Sequence, residues 1–249
     1  MMDANDATPR YEPDIAGVDH SVVTDPLVGE ALGKLLTAWR MRKRWDDFPS
    51  DHRAVHHAIL NGYVQTGDAP RRADLAGITG TDIGAVLEDL RERDLIVLRG
   101  GEVDVAYPFT SRNSVHGVEI GTRKIKCVCA IDALGVGAMI DSAVRAYSRC
   151  PECDTAIDIR IGDSGLSIEA VQPKGAVVWA GVSATQGCAA DTQCRSMLLF
   201  CSGAHLQAWR EKNAPGGEGF RLTPDQALQA GAAVFRPFMA KTDAQEGNL

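Results

Sequence analysis

The chain lacks any apolar stretch of the roughly 18 to 20 residues that span a bilayer. Its first thirty residues are polar, acidic and proline-containing, where a secretory signal would be basic and then apolar. Membrane insertion and export are therefore not expected, and the cytoplasm is the expected compartment. Positive charge is also short: 26 Lys and Arg stand against 33 Asp and Glu, a formal net charge of -7. That balance argues against a surface for polyanions, so nucleic acid is not an expected partner. Gly216, Gly217 and Gly219 make a turn with no following Lys-Ser, which excludes a phosphate-binding loop. No internal repeat or low-complexity tract is present. Cysteine is missing from the whole first half; Cys127, Cys129, Cys150, Cys153, Cys188, Cys194 and Cys201 all follow it. An odd number of thiols without a secretory signal fits metal or thiol chemistry better than a disulfide frame and leaves them available as ligands.

What is present suits a globular protein. A compact chain of 249 residues buries about 75% of its unfolded surface, enough for a core without staples. Residues 1–25, rich in Asp, Pro and small side chains, read as a mobile leader. From Leu27 to Trp45 the residues Leu32, Leu35, Leu36 and Trp39 recur at helical spacing, and Arg40, Arg42, Lys43 and Arg44 read as a solvated helix end. Asp51 is expected to cap a helix through Leu60, residues 69–76 to form a second, and Thr81 to cap a third carrying Ile83, Val86, Leu87 and Leu90. Residues 95–98 and 103–106 flank Arg99-Gly-Gly-Glu102 as a hairpin. This is a winged-helix pattern, yet residues 81–94 hold five acids against Arg91 and Arg93, a poor match to a DNA-reading helix. Residues 26–106 thus read as a structural helical domain, and residues 107–249 as a second domain of mixed sheet and helix. Strands are expected at 116–120, 157–161, 166–170, 176–180 and 195–201, helices at 205–212 and 223–231; the fold class is α+β.

The chemistry concentrates in two places. Cys129-Ala-Ile-Asp132 lies in an apolar segment, and if that segment is helical the thiol and the carboxyl share a side. Asp132 among Ala, Ile and Leu is costly to bury unless it has a partner or a task. Cys194 opens a second apolar run ending at Phe200. Two thiols and a proton carrier suit a soft, thiophilic metal. Cys127, opposite Cys129 on a helix, reads as packing. Cys150-Pro-Glu-Cys153 is half of a tetrahedral zinc site, for which Cys188 and Cys194 could supply the rest, although their spacing is wide. The pair could equally be an accessory thiol pair. His205 reads as a helix-start residue, and His56 and His57 as structural or solvated.

The run Lys126-Cys-Val-Cys-Ala-Ile-Asp-Ala-Leu-Gly135 resembles the signature of the organomercurial (alkylmercury) lyases, as does Cys194-Arg-Ser-Met-Leu-Leu-Phe-Cys-Ser202 followed by His205-Leu-Gln-Ala-Trp209. Val171 to Gly175 and Gln226 to Phe235 are weaker matches. The resemblance implies a winged-helix-like region before a mixed catalytic core. It implies cleavage of carbon–mercury bonds by protonolysis, with Cys129 and Cys194 as mercury ligands and Asp132 as proton carrier. It also implies an organomercurial substrate, no required organic cofactor, and low-molecular-weight thiols or a mercuric reductase as acceptors of the product. Gln193 stands before Cys194 where some members have a second cysteine, so a match slipped by one would put Gln193 in the place of the catalytic thiol. Other readings are a non-catalytic thiol sensor or carrier of metal with a winged helix, and an enzyme of another substrate on the same scaffold.

Overall fold

A computed structural model describes residues 17–38, 44–183 and 187–240. The N-terminal part is helical: α1 (Pro26–Ala38), α2 (Ser50–Thr66), α3 (Arg72–Leu75) and α4 (Ile83–Glu92) precede β1 (Ile96–Arg99) and β2 (Glu102–Ala106). β3 (Phe109–Thr110) completes an antiparallel sheet in the order β1-β2-β3. The Gly100–Gly101 turn between β1 and β2 takes positive φ at both glycines, as a tight hairpin requires.

Several expected boundaries move. α2 runs past Leu60 to Thr66, where Gly67 at φ 93° ends it in the left-handed conformation. The second helix shrinks to one turn. Asp82, not Thr81, caps α4, its carboxylate accepting the Gly84 N–H at 3.0 Å. Thr81 instead donates its hydroxyl to Asp51, which lies in the first turn of α2 rather than capping it. Trp39, Arg40, Arg42 and Lys43 lie outside the described residues, as do residues 1–16 of the expected leader. Residues 17–25 are held: the Asp19 N–H donates to Ala233 O at 2.8 Å and the Thr24 N–H to Gln229 Oε1 at 2.9 Å. Arg44 is a correction to the solvated basic run. It is 2% exposed, ion-paired to Asp94 at 3.1 Å and stacked on Tyr107.

The C-terminal part contains β4 (Gly117–Ile120), β5 (Arg123–Lys126), α5 (Ala130–Ile140), β6 (Val144–Arg149), β7 (Ala156–Ile161), β8 (Ile168–Gln172), β9 (Val177–Gly181), β10 (Met197–Phe200), α6 (Gly203–Asn213), β11 (Gly219–Leu222) and α7 (Pro224–Phe235). An antiparallel five-stranded sheet runs β5-β4-β6-β7-β8, and a three-stranded one runs β10-β9-β11. β5, β6 and β11 escape the sequence reading because charged residues interrupt their short apolar patterns, as in Arg123-Lys-Ile-Lys126. α5 is buried along Ala130–Met139, as its nearly uninterrupted apolar sequence demands. It packs on α7, and together the two helices fill the space between the sheets, α5 touching β4, β6 and β10, α7 touching β8, β9 and β11. The buried apolar residues of both parts form one continuous core.

Candidate active site

Cys129 immediately precedes α5. The thiol is its N-cap, with Sγ accepting the Asp132 N–H at 3.4 Å, while Asp132 occupies the third helical position. The expected shared side is thus realised at a helix terminus, where unpaired N–H groups and the dipole favour a thiolate. Cys194 comes from elsewhere. It lies in the 3-10 turn Gln193–Ser196 that leads into β10, whereas a strand was expected from residue 195. Pairing of Met197 with Ala180 and Phe200 with Val177 fixes β10 against β9, and this register sets the turn beside the start of α5. One ligand atom from each of Cys129, Asp132 and Cys194 lies within 4.8 Å of the others. The three residues are 0%, 1% and 4% exposed, so the cluster is shielded from bulk water.

Gln193 is also buried, and its amide is engaged by backbone groups. Its amide nitrogen donates to Gly181 O and its carbonyl oxygen accepts the Ser183 N–H at 2.8 Å, pinning the turn to the end of β9. It is Cys194, not Gln193, that lies with Cys129 and Asp132 in a group able to hold a metal ion. Cys127 is fully buried, bridged through its backbone to Phe109.

Burial sets the ionisation. Removal from water raises Asp132 from 3.8 to about 7, against the lowering pull of the Cys129 hydrogen bond and of Arg44. Its Oδ2 is buried without a hydrogen bond, so a carboxyl proton has a free site to occupy. Burial also raises Cys129, opposed by its hydrogen bond with Cys194 and by the backbone N–H groups of Asp132 and Ile131. The hydrogen bond to Cys129, together with burial, pushes Cys194 well up. Both thiols of the site are thus held above the ordinary thiol range, Cys194 most strongly.

Two neighbours escaped the sequence reading. Met197 is fully buried with Sδ 3.7 Å from Cys129 Sγ, adding a third sulfur to the site's edge. Its position two residues before Leu199-Phe200 carried no distinguishing signal. Asp94 accepts from Arg44, from the Tyr107 hydroxyl at 3.0 Å and from the Ala189 N–H at 3.3 Å; the Ala190 N–H donates to Tyr107 Oη at 2.7 Å. This buried network ties the helical part to the segment that carries Cys194. No long-range pairing of this kind is visible in sequence.

The expected zinc partners of Cys150 and Cys153 are corrected. Cys194 is at the site above, and Cys188 contacts Asp191 Oδ2 at 3.1 Å. Cys201 and His205 lie beside the pair instead, because β10 and the start of α6 end next to the β6–β7 turn. His205 is thus more than a helix-start residue, and this Cys/His cluster can coordinate a metal. His56 is fully buried among Trp45, Phe48 and Phe238, and its loss of hydration lowers it to about 3.

Among the described residues no helix is long and apolar enough to cross a membrane. The family model for MerB, alkylmercury lyase, matches residues 109–236, just over half of the chain. A solved structure, the mercury-bound form of MerB2, superposes with a TM-score of 0.69 at 20% sequence identity, covering 84% of this chain and 100% of that one. At this identity the superposition speaks for the fold.

Proposed function

The chain belongs to the alkylmercury lyase family, and from that premise we propose that Cys129, Cys194 and Asp132 carry out its cleavage of carbon–mercury bonds. The observation that supports this reading is the convergence of two buried sulfurs and one buried carboxyl within 4.8 Å. A mercury atom bridged linearly between two sulfurs separates them by about 4.7 Å, twice a bond slightly longer than the ~2.3 Å of zinc to sulfur.

Cys129 ionises first, passing its proton out with the displaced ligand of R–Hg–X, and its thiolate bonds to mercury. Cys194 then adds as the second thiolate, and its proton goes to Asp132. With two soft donors on mercury, electron density shifts toward the carbon. Asp132 delivers its proton to that carbon as the carbon–mercury bond breaks, releasing R–H and leaving Hg(II) on two sulfurs. One R–Hg–X and two thiols thus give R–H, HX and a mercury dithiolate. An acid of pKa about 7 suits both halves of the transfer at neutral pH. Holding the three groups about one substrate replaces a multi-body encounter by a bound geometry, worth about 7 to 11 kcal/mol at best. Low-molecular-weight thiols such as glutathione, or a mercuric reductase, would accept the ion, and seven free thiols fit a reducing cytoplasm.

The test is hydrocarbon release from phenylmercury or methylmercury by purified variants. Cys129→Ser, Cys194→Ser and Asp132→Asn are each expected to lose at least about 100-fold in turnover, the usual worth of a positioned proton carrier; Cys127→Ser should stay near wild type. Undiminished turnover by Cys194→Ser would overturn the assignment.

A further inference from the structure

Four side chains unused by this reaction converge at the far end of β10 from Cys194. Cys150 follows β6, Cys153 lies in the ensuing turn, Cys201 follows β10, and His205 is in the first turn of α6. One ligand atom of each lies within 4.8 Å of the other three. We propose that these residues form a closed Cys3His site for a structural zinc ion, which fastens the β6–β7 hairpin of the larger sheet to the β10–α6 corner of the smaller.

The donor geometry supports a tetrahedron. Bonds of ~2.3 Å to sulfur and ~2.0–2.1 Å to nitrogen require edges of about 3.8 Å between sulfurs and about 3.6 Å between sulfur and nitrogen. Cys153 Sγ and Cys201 Sγ are 3.6 Å apart, and Cys150 Sγ is 3.7 Å from His205 Nδ1. Cys201 Sγ to His205 Nδ1, at 3.0 Å, must open by about 0.6 Å on loading, which a small turn of the ring supplies. The local backbone is shaped for the task. After Cys150-Pro-Glu-Cys153 the chain reverses with Asp154 at φ 58°; the Asp154 N–H donates to Cys150 O at 2.8 Å and the Cys150 N–H to Thr155 O at 2.9 Å. The reversal directs both thiols of a Cys-x-x-Cys turn toward Cys201 and His205.

The donor set selects the ion and its role. Thiolate and imidazole disfavour hard cations, and four converging donors suit zinc better than mercury held between two sulfurs. All four positions are supplied by protein, so no site is left for substrate. Cys150 and Cys201 are buried while Cys153 is exposed, which lets the ion reach the site from solvent. Met197, at the other end of β10, touches Cys129. The ion would therefore anchor the strand that leads from Cys194 and carries Met197.

Metal content of the purified, reduced protein decides the matter, with absorption of the cobalt-substituted form as a second readout. About one zinc per chain is expected, together with the ligand-field bands of tetrahedral thiolate-bound cobalt. Cys153→Ser and Cys201→Ser should lose the ion and His205→Cys should keep it. The Cys129→Ser, Cys194→Ser double variant should also retain it, and because that variant is expected to be inactive, the outcome does not depend on the lyase assignment. Wild-type protein that neither co-purifies with zinc nor takes up added zinc would overturn the proposal, as would retention by Cys201→Ser or a Cys153–Cys201 disulfide in the reduced preparation. Should the serine variants fail to fold, the wild-type stoichiometry and cobalt spectrum still decide.

Discussion

Asp132 shows what burial does to a single functional side chain. Its carboxyl is raised from 3.8 to about 7 in the fold, so between those values the folded protein holds a proton that the unfolded chain has released. Stability contributed by this group is accordingly full below about pH 4 and falls as pH rises to 7, opposite to the behaviour of a salt-bridged carboxylate. Asp132→Asn removes this burden. The variant is expected to be more stable than wild type at pH 8 by up to about 4 kcal/mol, three pKa units at 1.36 kcal/mol each, with the difference shrinking toward zero at pH 4. Urea unfolding across that range measures it, and a gap independent of pH would contradict a buried, neutral carboxyl. On the proposed assignment the same variant should be inactive, the group that costs stability then being the one the reaction uses.

At the scale of elements, the position of Cys129 depends on how closely α5 approaches α7. The two helices cross at Gly135 and Gly231. A Cβ on Gly135 would stand 2.6 Å from Gly231 O, and one on Gly231 would stand 2.6 Å from Ile131 O, backbone atoms with no room to retreat. Glycine at these positions accepts a propensity cost of about 1 kcal/mol per residue in return for close packing. Gly231→Ala should therefore destabilise by about 1–3 kcal/mol through overpacking, despite the better helix propensity of alanine. Thermal unfolding checks the sign. An increase in midpoint would mean that the helices lie further apart than the structure places them.

For the whole molecule, the buried Arg44–Asp94 pair joins the helical part to the segment bearing Cys194. Arg44 is 2% exposed, while its partner also accepts from Tyr107 and from the Ala189 N–H. Asp94→Ala would strand a buried guanidinium, expected to cost about 3 kcal/mol. It would also free the Ala189–Ala190 backbone that precedes Cys194. Turnover should fall with stability even though Asp94 belongs to the other part of the chain. Parallel unfolding and hydrocarbon-release assays test this; loss of stability with full turnover would show that the network does not position Cys194. The continuous core and the docking of residues 17–25 on α7 likewise argue that the two parts do not act as independent modules.

Local pattern in the sequence determined much of this protein. The helical α1, α2 and α4, the Gly-Gly hairpin, the α+β class and the cysteine–aspartate pair at the start of α5 all follow from spacings of a few residues, because periodicity and capping act over one or two turns. Tertiary structure decided what those spacings cannot express. β5, β6 and β11 became strands because neighbouring strands supply their hydrogen bonds. Arg44, which reads as solvated beside other basic residues, is buried because Asp94, fifty positions away, compensates its charge. Cys201 and His205, rather than Cys188 and Cys194, lie beside Cys150 and Cys153, since which distant thiols meet is decided by the register of β10 on β9 and the direction in which α6 leaves it. Cys194 meets Cys129 and Asp132 for the same reason: contacts between residues remote in sequence are fixed by sheet register and helix crossing, which no short stretch of chain encodes alone.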